Sequence, residues 1–312
     1  MNRYIKKIVF LLITIFLVSV FTFVAFQIIP GDSASAMLGM NATEEAVEAL
    51  REELGLNKNI VVRYGNWVVN ALRGDFGTSL QYNMPVKALI ANRLPVTIWL
   101  AVLSILLIIL TSIPLGILSA RKEGGVGEGI ILSWIHTTMA IPPFFLGILI
   151  TLVFGIILKW FVPGGYVSPS SNFSEFLRFM IFPALSVAIP QIAMVVKFLR
   201  GSLLREMQLD YVRTARSKGS TNTRILYRHV LKNAFIPIIT FLGMVLADVL
   251  AGSIIIEQVF GLPGLGRLLI TSISNRDFMV VQGIILYVVT TVVCINFVVD
   301  ILYRRIDPRI RL

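Results

Sequence analysis

The chain has 312 residues, 56% of them apolar and 14% charged, with a formal net charge of +11 and a mean hydropathy of +0.83. A water-soluble domain of this length needs more charge on its surface, so most of the chain is solvated by lipid. The basic residues sit in short clusters beside apolar runs, which is the pattern of topology signals, and this excludes a nucleic-acid-binding protein despite the charge.

A helix rises about 1.5 Å per residue, so roughly 20 apolar residues cross a hydrocarbon core of about 30 Å. Six stretches qualify in chain order: 8–29, 96–120, 130–158, 179–196, 234–256 and 279–302. The first belongs to an N-terminal anchor, 1–29. It is expected to be retained although Ala34-Ser35-Ala36 follows it, because its apolar run exceeds the roughly 7–15 residues of a signal core.

Residues 30–95 form a small polar domain with six basic and seven acidic residues. Thr43 before Glu44-Glu45 marks a capped helix start and Gly55 its stop, while Gly74-Asp75-Phe76-Gly77 reads as a turn. This domain is either a plug over helix ends or a landing surface for a substrate-delivering protein. Pro142-Pro143 kinks or breaks the third span, and Pro183 and Pro190 bend the short fourth one.

Between the fourth and fifth spans lies a loop, 197–233, carrying nine Lys or Arg residues. Leu199, Leu203, Met207, Tyr211 and Ala215 recur every four residues, which predicts an amphipathic helix ended by Gly219. Ile225, Leu226, Val230 and Leu231 then begin a second helix leading into the fifth span. Such a loop is either held on anionic lipid or gripped by a soluble partner. After the fifth span, the glycine-rich run 261–267 predicts a tight turn beside a short re-entrant or interfacial helix.

Lys and Arg set the orientation. The N-terminus, Arg121-Lys122, the long loop and the C-terminal tail 304–312 hold eighteen, whereas the two short loops opposite hold four: Lys159, Arg178, Arg267 and Arg276. The positive-inside rule therefore places both termini and the basic loop in the cytoplasm of a multi-pass plasma-membrane protein, with 30–95 outside.

No zinc-protease HExxH, intramembrane serine-protease motif or ATP-cradling glycine loop is present. His136 and His229 lie far apart without a carboxylate or cysteine at ligand spacing, and Cys294 is the sole cysteine. The chain is expected to hold no catalytic residues, no metal and no cofactor. A carbonyl filter and an acidic ring are missing too, which disfavours a channel and leaves transport.

Tyr211-Val212-Arg213-Thr214-Ala215-Arg216-Ser217-Lys218-Gly219, with Pro237 beyond it, resembles the cytoplasmic coupling loop of binding-protein-dependent ABC importer permeases. The likeness is to the peptide/nickel branch, typified by the B-type permeases of oligopeptide and dipeptide uptake systems. Pro30-Gly31-Asp32, Gly74-Asp75-Phe76-Gly77-Thr78-Ser79, the run from Glu257 to Gly266, and Asn275-Arg276-Asp277-Phe278 match the same branch in the same order. The match extends to Asp307-Pro308-Arg309. Arg213-Thr214-Ala215 replaces the Glu-Ala-Ala of the broader pattern, a variation that this branch shares.

The resemblance implies an all-α membrane protein with a type I importer fold, six transmembrane helices and a permease core at 96–303. It also implies a second homologous permease, two cytoplasmic ATPases that bind ATP and Mg, an extracellular substrate-binding lipoprotein and a peptide cargo. Tyr211, Arg213, Ala215, Arg216, Lys218 and Gly219 would form the ATPase contact, with Ala215 and Gly219 allowing close approach. Glu257, Phe260, Pro263, Gly264, Gly266 and Asp75 would form the external gate or binding-protein contact. Nickel or metallophore import is the alternative within the class; an ion-gradient-driven transporter and a membrane scaffold are the readings outside it.

Asp248 stands near the centre of the fifth span, where a bare carboxylate costs about 2.5–3.5 kcal/mol. It is expected to line the translocation path and meet a substrate amine or another cationic group. The alternative is a hydrogen bond to the partner permease, Thr240 or Ser253. Asp300, beside Arg304 and Arg305, is expected to form a structural ion pair.

Overall fold

The computed structural model describes residues 3–28, 43–53 and 57–306. Pro30-Gly31-Asp32, Ala34-Ser35-Ala36, Gly55 and Asp307-Pro308-Arg309 lie outside the described residues, as do the side chains of Asp300, Arg304 and Arg305.

Every regular element described is helical. In order these are α1 (Arg3–Ile28), α2 (Glu44–Glu53), α3 (Ile60–Leu72), α4 (Val86–Arg121), α5 (Val126–Met139) and α6 (Pro143–Ile157). There follow α7 (Phe173–Met207), α8 (Asp210–Ser217), α9 (Asn222–Phe260), α10 (Leu265–Ser274) and α11 (Phe278–Ile306). α1, α4, α7, α9 and α11 are each long and apolar enough to cross a membrane, and α5 with α6 makes a sixth candidate span bent by 99°.

The bend falls at Pro142-Pro143, as expected. Pro142 caps α6 in an extended conformation and Pro143 occupies its first turn, where a missing N–H costs nothing. α6 closes as a π-helix over Thr151–Ile157. The fourth span is longer than expected. α7 is one continuous helix of 35 residues through Pro183 and Pro190, started by Asn172, whose side chain accepts from the Glu175 N–H. Its most apolar window is 72% buried, so protein rather than lipid surrounds most of it. α4 also begins ten residues earlier than expected, so position 95 falls inside a helix.

Two compact units divide the chain, Met1–Leu94 with Leu268–Val293 and Pro95–Arg267 with Cys294–Leu312. In the first, α3 is capped by Asn59 and packs Tyr64 and Trp67 against Phe23 of α1, with Tyr64 sharing a 2.7 Å hydrogen bond with Ser19. Much of the rest of α1 is bare, with Phe10 73% and Phe21 72% exposed, as a lipid-facing helix should be.

In the second unit, α7 is the buried axis. Phe176, Met180, Ala184, Ala188 and Val195 are almost inaccessible, and Leu100, Ile108, Ile135, Val249 and Phe260 pack into the same core. Phe161 stacks on Phe182 with centroids 4.4 Å apart. α5 is tied to α7 by Glu128, which accepts from Arg200 Nε at 2.7 Å and from a second guanidinium nitrogen. A second apolar cluster around Leu199, Leu203, Ile225, Val230 and Ile238 extends toward α8.

Candidate functional site

The predicted amphipathic stripe is real, but two helices carry it. Leu199, Leu203 and Met207 belong to α7, which stops at Gln208; Tyr211 and Ala215 belong to α8, which begins at Asp210. All five join the same apolar cluster, where Val212 is fully buried. The four-residue spacing survives the break because both helices rest on one base.

α8 ends in a Schellman turn. Gly219 has φ +78° and donates to Arg216 O at 2.9 Å, and Ser220 donates to Ala215 O at 3.1 Å. A Cβ at Gly219 would meet nothing within 4 Å of this chain, so within the subunit the glycine is required by its positive φ. Thr221 then caps α9, accepting from the Arg224 N–H.

Arg213, Arg216 and Lys218 are exposed on α8, and Tyr211 and Ala215 half-buried. Arg213 pairs with Asp210 at 3.4 Å, Arg216 donates to Asn222 at 3.2 Å, and the Tyr211 hydroxyl donates to Glu206 at 2.7 Å. Partial burial and the Glu206 carboxylate push the Tyr211 phenol up to about 12, so it stays a donor at neutral pH. The result is a short basic helix, fixed from below and bare above.

At the other end of α9 the structure turns the expected gate residues inward. Glu257 and Phe260 are buried, as are Gly264 and Gly266; Pro263 is half-buried. Glu257 Oε1 accepts from Thr97 Oγ1 at 2.6 Å, and Oε2 accepts from the Gly266 N–H at 2.6 Å and the Arg267 N–H at 3.2 Å. Thr97 Oγ1 accepts from the Leu265 N–H at 3.0 Å. The carboxylate therefore caps the first turn of α10, which satisfies orphan donors at a helix start. A Cβ at Gly264 would strike the Glu257 carboxylate, and one at Gly266 the Ile254 backbone. These four residues shape the turn and offer no side chain to another protein in this conformation.

In the other unit, Asp75 is exposed and closes its own turn by accepting from the Gly77 N–H at 2.9 Å, with Gly74 and Gly77 at φ +78° and +84°. The loop after it is pinned by the buried Asp277, which accepts from Ser79 Oγ and the Gln81 N–H. Sequence reading missed this clasp and the role of Thr97, since the partners stand 198 and 160 positions apart.

Asp248 is exposed on α9, in the same row as Met244, which is 56% exposed, and Ile255, which is 51% exposed. Neither expected neighbour pairs with it. Ser253 donates to Leu250 O at 2.8 Å, and Thr240 Oγ1 is buried with no partner among the described residues. Two turns toward the start of α9, Phe241 stacks on Phe198 of α7 with centroids 4.4 Å apart and an interplanar angle of 9°. Beside that stack opens a cleft of about 530 Å³, lined by Met139, Met194, Lys197, Gly201, Arg205 and Phe241.

A helical core with five or six candidate membrane spans, a bare basic helix and an uncovered, acid-bearing face along one span fits a membrane transport subunit. The chain belongs to the family described as the binding-protein-dependent transport system inner membrane component, whose model matches residues 112–312; the family's N-terminal model matches residues 1–101. It is a multi-pass ABC importer permease of the peptide branch. It is 36% identical over 295 residues to a probable peptide ABC transporter permease of Sinorhizobium fredii, covering 95% of this chain and 94% of that one. A putative peptide transport system permease of Brucella abortus is 39% identical with the same coverage. The glutathione transport system permease GsiC of Escherichia coli is 34% identical over 100% of this chain and 99% of its own.

Two solved structures share the fold. A chain of an amino acid ABC transporter with histidines aligns at TM-score 0.55 and 18% identity, covering 70% of this chain and 94% of its own. A chain of the inward-facing MetNI methionine ABC transporter aligns at TM-score 0.55 and 17% identity, covering 70% and 96%.

Proposed function

We propose that this subunit forms half of a peptide-conducting path across the cytoplasmic membrane. A second, similar permease completes the path, two cytoplasmic ATPases that bind ATP and Mg drive it, and an external lipoprotein delivers the cargo. The observation that carries the proposal is the platform of α8: a Schellman-closed helix seated on the shared base of α7 and α9, with Arg213, Arg216 and Lys218 bare. A helix held this firmly transmits a push into both spans as a rigid body. Tyr211 and Ala215 shape its base, and Gly219 its closing turn.

Peptide cargo is supported by relatives named for peptide and glutathione transport that align over 94–99% of their own lengths. Asp248 lines the path: a carboxylate on an uncovered mid-span face needs water or a cation opposite it. The basic clusters put both termini and α8 in the cytoplasm. On the outer side the Glu257 cap holds the gate's shape, and Asp75 and Pro263 are the members of that set left accessible to the delivering protein.

The test is reconstitution with the partner permease, ATPases and binding protein. Peptide accumulation that requires the binding protein and is stopped by vanadate is the expected result. Accumulation driven by an ion gradient with no ATPase present would overturn the proposal.

A further inference from the structure

We infer that the cleft beside the Phe198–Phe241 stack binds the C-terminal carboxylate of the peptide in transit, through Lys197 and Arg205. This deepens the peptide-import reading and rests on it.

The two cations stand eight residues apart on α7, two turns of one face, and neither side chain has a hydrogen bond or ion pair among the described residues. Arg200, on the same helix, is instead engaged by Glu128. Gly201 lies midway between them, and a Cβ there would meet nothing within 4 Å, so the space over both cations is open. Met139, Met194 and Phe241 furnish apolar walls, and about 530 Å³ falls within the roughly 300–1,000 Å³ of small-ligand sites. Flexible methionine walls suit cargo of varied side chains, because a thioether repacks at little cost.

Asp248 fixes the polarity. It lies seven residues beyond Phe241 on α9, an axial offset of about 10 Å. Extended peptide spans roughly 3.3–3.6 Å per residue, so about three residues bridge that offset. An ammonium at Asp248 and a carboxylate at Lys197 and Arg205 are the features every free peptide shares. Recognising termini and leaving the side chains to soft walls gives a path that is selective for peptides and indifferent to their sequence. A lipid headgroup also offers an anion to these cations, but it leaves Asp248 on the same uncovered face without a counterpart.

The experiment uses the complete importer with its binding protein in vesicles. The cargo is a mixed tripeptide library, supplied as free acids and as C-terminal amides, with uptake counted per loaded binding protein so that loading differences cancel. Wild type is expected to favour acids about tenfold, the scale of losing a charge-assisted hydrogen bond. In Lys197→Gln/Arg205→Gln the ratio is expected to fall to about one. Gly201→Phe is expected to fill the cleft and cut uptake of both forms at least tenfold with the complex assembled.

A wild-type ratio near one, a double variant that lowers both forms equally, or normal uptake by Gly201→Phe would overturn the inference. So would a ratio that collapses only in vesicles containing phosphatidylglycerol and not in pure phosphatidylcholine, which would mark a headgroup site. If wild type accumulates neither form, the peptide-import reading itself fails, an outcome distinct from every one of these.

Discussion

Asp248 concentrates the problem of putting charge inside a membrane. Even on insertion scales a central carboxylate costs about 2.5–3.5 kcal/mol, and within this chain neither Thr240 nor Ser253 offsets that cost. The compensating group therefore comes from water, cargo or the partner subunit. Removing the charge while keeping the shape separates a conducting role from a packing one. Asp248→Asn is expected to lower peptide uptake about tenfold while the complex elutes as a single assembly of normal size. Unimpaired uptake would take the residue out of the path. Tyr211 illustrates the opposite case at the other end of the span. Its phenol, raised to about 12, stays protonated and donates to Glu206, so it braces α8 from below.

Among the elements, α9 and α10 are joined by a carboxylate that serves as a helix cap. Glu257→Ala leaves Thr97 Oγ1 and two α10 N–H groups buried without an acceptor, and this is expected to cost about 3 kcal/mol or more. The variant should show a lowered midpoint of thermal unfolding in detergent, and Glu257→Gln, which keeps one acceptor oxygen, a smaller loss. An unchanged midpoint for Glu257→Ala would return the residue to a purely external role. Local chemistry made several elements readable in advance. Pro142-Pro143 announced the 99° bend, Gly74 and Gly77 the turn, and Gly219 the end of α8. What stayed hidden depends on distant partners. The inward aim of Glu257 is matched by Thr97, the break at Gln208 is masked by a spacing that continues across it, and the cleft is lined by residues of three helices that include Phe198 and Phe241.

For the whole molecule, the same thermodynamic demand explains both kinds of uncovered surface. α1 shows lipid its phenylalanines and needs nothing more, whereas the acid-bearing face of α9 needs water, a cation or a partner opposite it, and the basic top of α8 is left free to take a partner. Composition made the spans legible and left those partners unspecified, because a bare basic helix looks alike on a lipid surface and against a protein. Cys294 is the sole cysteine, so Cys294→Ala provides a background in which single probes report unambiguously. Thr214→Cys and Ser217→Cys sit exposed between the α8 cations, and Val212→Cys, fully buried, is the control. In the assembled complex the two exposed probes are expected to crosslink to an ATPase subunit, with yields that change when ATP is added, as the proposed gripping of α8 by the ATPases requires. The Val212 probe should remain silent. Probes that label only phospholipid, with or without nucleotide, would make α8 a membrane-surface helix and remove the mechanical link on which ATP-driven import by this chain depends.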